Sequence, residues 1–190
     1  MSTSRLETFS DGVLAIIITI MVLQMAVPQG TRFLALGPLL PMFASYILSF
    51  VYLGIFWSNH HRVLQGLDRV NGVITWANLH LLFWLSLLPF VSGWMGEKSF
   101  APVPTAVYGG VLLMAALAFW GLRWAIIRQM KRHSAAAAAP KNDFKARLAP
   151  VLYIVAIPIA LRQPWLAGLL YAVVAVIWVI PERPGTRQAV

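Results

Sequence analysis

The side chains best suited to chemistry in this sequence are a few polar residues placed inside apolar segments. The first apolar segment carries Arg5, Ser10 and Asp11 close to its start. A carboxylate at the edge of a membrane span is costly unless it is paired or faces water, so Asp11 is a candidate functional residue. Arg5 precedes it by six residues and points to a different side of a helix, so the two cannot pair within it. A partner for Asp11 must come from another helix; alternatively, Ser10 and Asp11 only cap the start of their own helix.

The best candidates for that partner lie in the second apolar segment, at Trp57, His60 and His61. Two adjacent histidines resemble a metal site, but neighbours on a helix diverge by about 100° and cannot chelate one ion together. Buried polar groups must be satisfied where no water is available, so we predict an interhelical hydrogen-bond network and no metal site. The predicted members of this network are Arg5, Phe9, Ser10, Asp11, Trp57, His60, His61 and Asn78. We expect His80 to be a satisfied core histidine.

Several classes of function are excluded by composition. The chain has no cysteines, which removes disulfides, thiolate metal ligands and cysteine nucleophiles. No Ser-His-Asp set and no carboxylate pair is expected at a common depth, so we predict neither an enzyme nor a cofactor. The net charge of +9 is spread over short segments between apolar runs, without the basic stripe and interleaved aromatics of a nucleic-acid surface.

The elements that must position these residues are membrane-spanning helices. Hydrophobic residues make up 59% of the chain and the mean hydropathy is +0.74, beyond what a soluble domain of 190 residues could bury. A hydrocarbon core of about 30 Å needs roughly 20 apolar residues per helix. We predict an all-α membrane protein with a single domain, 1–190, and six spans at about 7–27, 37–61, 71–95, 103–125, 147–162 and 164–181.

Two features of this arrangement are less regular. The last two spans are short and are separated only by Arg162-Gln163-Pro164, so a re-entrant hairpin is the alternative there. The polar stretch 133–145, between the fourth and fifth spans, is predicted to be a cytoplasmic connector.

The basic residues orient the spans. With both termini in the cytoplasm, only Arg32, Lys98 and Arg162 of the 15 lysines and arginines fall outside. Such a bias follows the positive-inside rule, and the inverted topology would carry the basic loops across the membrane. We therefore expect cytoplasmic N and C termini.

One stripe of the first helix has a regular spacing. It consists of Gly12, Ile16, Thr19, Ile20 and Leu23, at i, i+4, i+7, i+8 and i+11. Taken alone, such a stripe indicates ordinary packing or lipid contact.

The polar context gives the stripe a more specific interpretation. The chain resembles the endolysosomal potassium channel family and its prokaryotic six-helix relatives in three motifs. They are Arg5-x-x-x-Phe9-Ser10-Asp11 at the start of the first of six helices, the following Gly12-Val13-x-Ala15-Ile16-x-Ile18-Thr19, and Trp57-x-x-His60-His61 on the second helix. The resemblance covers essentially the whole chain. It implies a potassium-permeable channel in the cell membrane whose pore is lined by the first helix of each subunit.

The resemblance also implies roles for particular residues. The matching pore and gate positions are Ile16, Ile20 and Leu23, with Thr19 as a polar ring beside them. Only one copy of the Arg-x-x-x-Phe-Ser-Asp pattern occurs, which implies a homotetramer with potassium ions in its pore and no other cofactor. Gln24 stands where an acidic residue is expected, so the extracellular vestibule should attract cations less strongly.

No Thr-Val-Gly-Tyr-Gly segment occurs, so the carbonyl filter of ordinary potassium channels cannot form and preference for potassium over sodium should be modest. The alternative function is a secondary transporter of a small cation or solute. Transporters usually show internal repeats and helices broken at mid-membrane. The two halves share no visible motif, and Pro89, Pro150 and Pro158 do not occupy matching positions.

Overall fold

The computed structural model describes residues 2–65, 67, 69–133 and 144–180, and this part of the chain is almost entirely helical. The helices are α1 (Thr3–Leu23), α2 (Leu40–Leu64), α3 (Gly72–Ser86), α4 (Leu88–Glu97), α5 (Pro102–His133), α6 (Phe144–Ala160) and α7 (Pro164–Val179), with a short 3₁₀ helix at Phe33–Leu39 before α2. Helices α3 and α4 are separated by one residue and count as one rod, so six rods result in the described part of the chain, as the hydropathy pattern predicts.

The interruption between α3 and α4 has a local cause. Pro89 has no N–H and its ring clashes with the preceding turn, so the helix is interrupted at Leu87, which ends α3 and precedes α4. The sequence pattern predicts one continuous span here.

Other boundaries also differ from the predicted ones. Helix α1 begins at Thr3 and ends at Leu23, four residues earlier at each end than predicted. Helix α5 continues to His133, eight residues past the predicted end, because no glycine or proline interrupts its basic last turns. Most of the predicted connector 133–145, namely 134–143, lies outside the described residues, whereas 133, 144 and 145 are helical.

Four helical stretches are long and apolar enough to cross a membrane: Thr3–Leu23, Phe33–Leu64, Gly72–Glu97 and Pro102–Lys131. The other two apolar stretches, Leu148–Ala160 and Pro164–Val179, are shorter. They belong to an antiparallel hairpin, α6 and α7, that packs against α5 and α2.

Packing divides the subunit into a centre and a periphery. Helix α5 is central and contacts α3, α4, α6 and α7, whereas α1 lies at one side against α2, α3 and α4. Helices α2 and α4 approach closely at Gly96, where an added Cβ would collide with Ser45 Oγ and with the backbone of Met42. This packing places the first half of α1 next to the end of α2 and the first half of α3.

Candidate functional site

A chain of hydrogen bonds joins α1, α2 and α3 through three buried polar residues, Ser10, His60 and Asn78. Asn78 Nδ2 donates to Ser10 Oγ at 2.9 Å, and Ser10 Oγ donates to the carbonyl of Leu6 at 2.8 Å. Because the amide nitrogen of Asn78 faces Ser10, its Oδ1 faces His60 and accepts from Nε2 at 2.6 Å. His60 is therefore held with a proton on Nε2. His60 on α2 donates to Asn78 on α3, and Asn78 donates to Ser10 on α1.

The local sequence explains why these three groups meet at one depth. Asn71 caps α3 by accepting from the N–H of Ile74 at 2.9 Å, which sets the start of that helix. Asn78 then lies two turns into α3 and His60 lies one turn before the end of α2. Bonding of Ser10 back to its own helix leaves its oxygen lone pairs free to accept from Asn78.

A second pair of contacts joins α1 and α2 beside this chain. Trp57 Nε1 donates to Asp11 Oδ1 at 2.9 Å, so the partner of Asp11 does come from another helix. His61 Nδ1 lies 3.5 Å from Glu7 Oε1, which is an ion pair when His61 is protonated. Sequence reasoning did not single out Glu7. Its spacing could have indicated the contact: Glu7 and Asp11 are four residues apart on α1, and Trp57 and His61 are four residues apart on α2, so each pair shares one face of its helix.

The structure leaves other predicted network members outside these contacts. Arg5 is exposed and makes no hydrogen bond or ion pair with any residue in the described ranges. Phe9 is 52% exposed on a different side of α1 from Ser10. His80 is exposed on α3, so its expected position in the core is wrong; its Nε2 accepts from Trp84 Nε1 at 2.9 Å.

The alternative that Ser10 and Asp11 only cap their helix is also wrong. Helix α1 begins at Thr3, with Ser2 at the capping position, so both residues lie about two turns inside it. Their side chains hold helices together instead of satisfying the first backbone N–H groups.

We expect Asp11→Ala to weaken the α1–α2 contact by about 0.5–1.5 kcal/mol, because the indole N–H of Trp57 loses its acceptor. The measurement is the thermal unfolding midpoint of the detergent-solubilised protein. Asp11→Asn is the matched control, since its amide oxygen can still accept. Normal assembly of the alanine variant together with a changed ion preference would contradict a structural role for Asp11.

The two faces of α1 have different surroundings. Residues Leu6, Ser10, Leu14, Ile17 and Met21 are buried against the rest of the subunit. The other face is exposed and carries Phe9, Gly12, Ile16, Thr19, Ile20 and Leu23. Ile16 is 60% exposed while its neighbour Ile17 is 3% exposed, so one face of α1 is largely uncovered in the subunit, with only Ile16 and Ile20 bordering a groove beside α4.

Thr19 lies on this exposed face. Its Oγ1 donates to the carbonyl of Ala15 at 2.9 Å. The hydroxyl proton is thus used within the helix, and the oxygen lone pairs point to the exposed side, where they can accept from water or contact a cation.

Sequence reasoning missed a second interior cluster, built from four buried tyrosines. Tyr52 donates to the carbonyl of Tyr171 at 2.6 Å, Tyr171 donates to the carbonyl of Thr105 at 3.2 Å, and Tyr108 shares a hydrogen bond of 3.0 Å with Ser49. The rings of Tyr153 and Tyr171 are 6.3 Å apart. This cluster joins α2, α5, α6 and α7, and no spacing within one helix indicates it because each tyrosine comes from a different helix.

Nowhere in the described ranges do three His, Asp or Glu side chains come close enough to hold a metal ion. What the polar groups do is fix α1 against α2 and α3, with its exposed stripe turned outward.

Together, the apolar helical stretches and their packing define a multi-pass helical membrane protein in which one face of the first helix is exposed. The family model described as "Endosomal/lysosomal potassium channel TMEM175" matches residues 5–89. A potassium channel of a Chryseobacterium species is 48% identical over 183 residues, which cover 96% of this chain and 95% of that protein. A potassium channel of Chamaesiphon minutus is 30% identical over 87% of each chain.

A solved structure shows the same fold. The crystal structure of a lysosomal potassium-selective channel TMEM175 homolog from Chamaesiphon minutus covers 93% of this chain and 96% of its own, with a TM-score of 0.78 and 29% identity. The chicken protein named endosomal/lysosomal proton channel TMEM175 is 29% identical over 56% of this chain, but that match covers only 22% of the chicken protein. The chain belongs to the TMEM175 potassium channel family.

Proposed function

We propose that this chain forms a homotetrameric, potassium-permeable cation channel in the cell membrane, with a pore lined by α1 and a modest preference for potassium over sodium. The single observation that carries the proposal is the exposed stripe of α1, which is apolar except for Thr19 and stays largely uncovered within its own subunit. The named potassium channels among its relatives support the same ion.

Symmetry supplies the rest of the pore. One subunit offers a single such stripe, so it cannot surround a pore by itself, and a closed ring of identical subunits is the usual solution. The polar contacts of Ser10 and Asp11 hold α1 from behind and keep its stripe turned toward the ring axis. Both termini are proposed to be cytoplasmic, in accordance with the distribution of basic residues.

The proposed gate consists of the rings formed by Ile16, Ile20 and Leu23. The rings of Ile16 and Ile20 are about 6 Å apart along the axis and those of Ile20 and Leu23 about 4.5 Å, since each residue advances the helix by about 1.5 Å. A narrow apolar constriction favours the absence of water, and an ion must shed part of its hydration to cross it. Potassium loses its hydration more readily than sodium, which gives a preference without a carbonyl filter, and Thr19 offers oxygen lone pairs beside the constriction. No cofactor and no catalytic reaction are part of this proposal.

Reconstitution tests the function directly. Purified protein in liposomes with a potassium gradient should carry passive flux that follows the applied voltage, with potassium faster than sodium, whereas protein-free liposomes should carry none. Native mass spectrometry or crosslinking in membranes should show four copies. Flux with a fixed coupling stoichiometry would support a transporter instead, and a monomer or dimer would contradict the proposed pore.

A further inference from the structure

A groove of about 530 Å³ follows α6 toward the turn that joins it to α7. Ile154, Val155, Pro158 and Leu166 line the groove, and Arg162 and Gln163 lie at its end. Ile154 and Val155 are 58% and 47% exposed, so the groove opens on the outer surface of the subunit. None of its lining residues belongs to α1, and it plays no part in the proposed pore.

The length of the hairpin places this groove in the acyl layer of the membrane. The apolar part of α6 has 13 residues, Leu148–Ala160, which span about 20 Å, and the 16 residues of α7 span about 24 Å. The hydrocarbon core is about 30 Å thick, so the α6–α7 turn lies below the level of the headgroups unless the bilayer thins around it. From Ile154 to the end of α6 at Ala160 the helix rises about 9 Å, which lies within the depth of about 15 Å of one leaflet's acyl layer, and Arg162 follows in the turn.

The charge at the end of the groove selects the occupant. Arg162 is exposed, and its guanidinium has no carboxylate partner among the described residues. A cation at this depth needs an anion or water, and a guanidinium binds phosphate oxygens through paired N–H groups. Trp165, 66% exposed one turn further on, is an indole of the type that prefers the headgroup level.

We propose that this groove binds one phospholipid per subunit, on the side of the membrane that holds the α6–α7 turn. One acyl chain lies along Ile154, Val155 and Pro158, and the phosphate contacts Arg162. An acyl chain matches the apolar walls and an anionic phosphate matches the single charge at the end, whereas an apolar protein helix would satisfy the walls and leave the guanidinium unpaired.

Native mass spectrometry of the full-length protein in a mild detergent tests this site, with dioleoyl phosphatidylglycerol as the probe and dioleoylglycerol, which has no phosphate, as its neutral counterpart. We expect one tightly held phosphatidylglycerol per subunit and weak retention of dioleoylglycerol. Arg162→Gln should weaken phosphatidylglycerol binding about fivefold, the effect of one basic side chain near anionic lipid. Val155→Trp should prevent binding by filling the groove while Arg162 remains.

Lys98→Gln is the matched control, because Lys98 is another cation on the same side of the membrane but pairs with Glu97 at 2.7 Å. It should leave lipid binding unchanged. The site would be refuted if Lys98→Gln weakened binding as much as Arg162→Gln, if Val155→Trp still bound lipid, or if dioleoylglycerol were held as tightly as the phospholipid. Circular dichroism and size-exclusion profiles like those of the unsubstituted protein establish that each variant is folded.

Discussion

We expect the Ile16→Asn variant to carry potassium on the order of tenfold faster than the unsubstituted channel, since lowering the barrier by about 1.4 kcal/mol is sufficient for that change. Ile16 is 60% exposed on the α1 stripe, so asparagine is placed in the first ring of the proposed constriction. In a tetramer the substitution adds four amides to one ring. These amides hold water in the constriction, and ions that keep more of their hydration are distinguished less well. Discrimination against sodium should therefore fall as the flux rises.

The control for this substitution must be exposed, on the same helix and off the stripe. Ile17 is unsuitable because it is 3% exposed in the subunit core, where asparagine would destabilise the fold. Val22 is 46% exposed and lies about 120° around the helix from Ile16. Potassium and sodium fluxes are compared in liposomes at equal protein content. If Val22→Asn and Ile16→Asn had equal effects, the stripe would not be the pore face.

The largest loss of stability is expected for Asn78→Ala, at about 1–3 kcal/mol, because the substitution leaves the buried Nε2–H of His60 without an acceptor. Ser10 loses a donor but keeps its own acceptor, the carbonyl of Leu6, so the penalty falls mainly on His60. The effect should appear as a lower unfolding midpoint in detergent and as less folded protein in membranes.

Asn59→Ala is the matched control for this second substitution. Asn59 is on α2 next to His60, is half-buried, and donates only to the carbonyl of Ile55 in its own helix at 2.8 Å. Its replacement should change the unfolding midpoint little. A double variant, Asn78→Ala with His60→Leu, should recover part of the lost stability, because it removes the unpaired group together with its former partner. A further loss in the double variant would mean that the histidine is held by contacts other than Asn78.

The class of protein could be predicted from the sequence because hydropathy alone decides it. Runs of about 20 apolar residues cannot be buried in a domain of this size, so a membrane protein of six helical rods follows from composition and from the positions of glycine and proline. Four of the helical stretches are long and apolar enough to cross a membrane. The family, too, could be inferred from the pattern around Phe9, Ser10 and Asp11. A residue count also shows that Arg5 and Asp11 cannot pair within α1, since the helix period fixes the angle between them.

Which polar groups meet was decided only by the tertiary structure. The sequence offered His60, His61 and Trp57 as equivalent partners for the first helix. In the structure His60 reaches Ser10 only through Asn78, and Trp57 takes Asp11. A helix period relates residues of one helix to one another, but it carries no information on the rotation of a second helix against it, which depends on packing across the whole interface.

The sequence also did not predict which face of α1 is exposed, for a related reason. In a soluble helix the buried face is apolar and the other is polar, so the pattern shows which side is inside. In a membrane, lipid and protein interior are equally apolar, so isoleucine occurs on both sides and the sequence of Ile16 and Ile17 does not tell them apart. Contacts with α2, α3 and α4 bury Ile17 and leave Ile16 exposed. Packing against neighbouring helices therefore determines which stripe of α1 stays exposed and can line the proposed pore. The sequence of α1 alone does not show this.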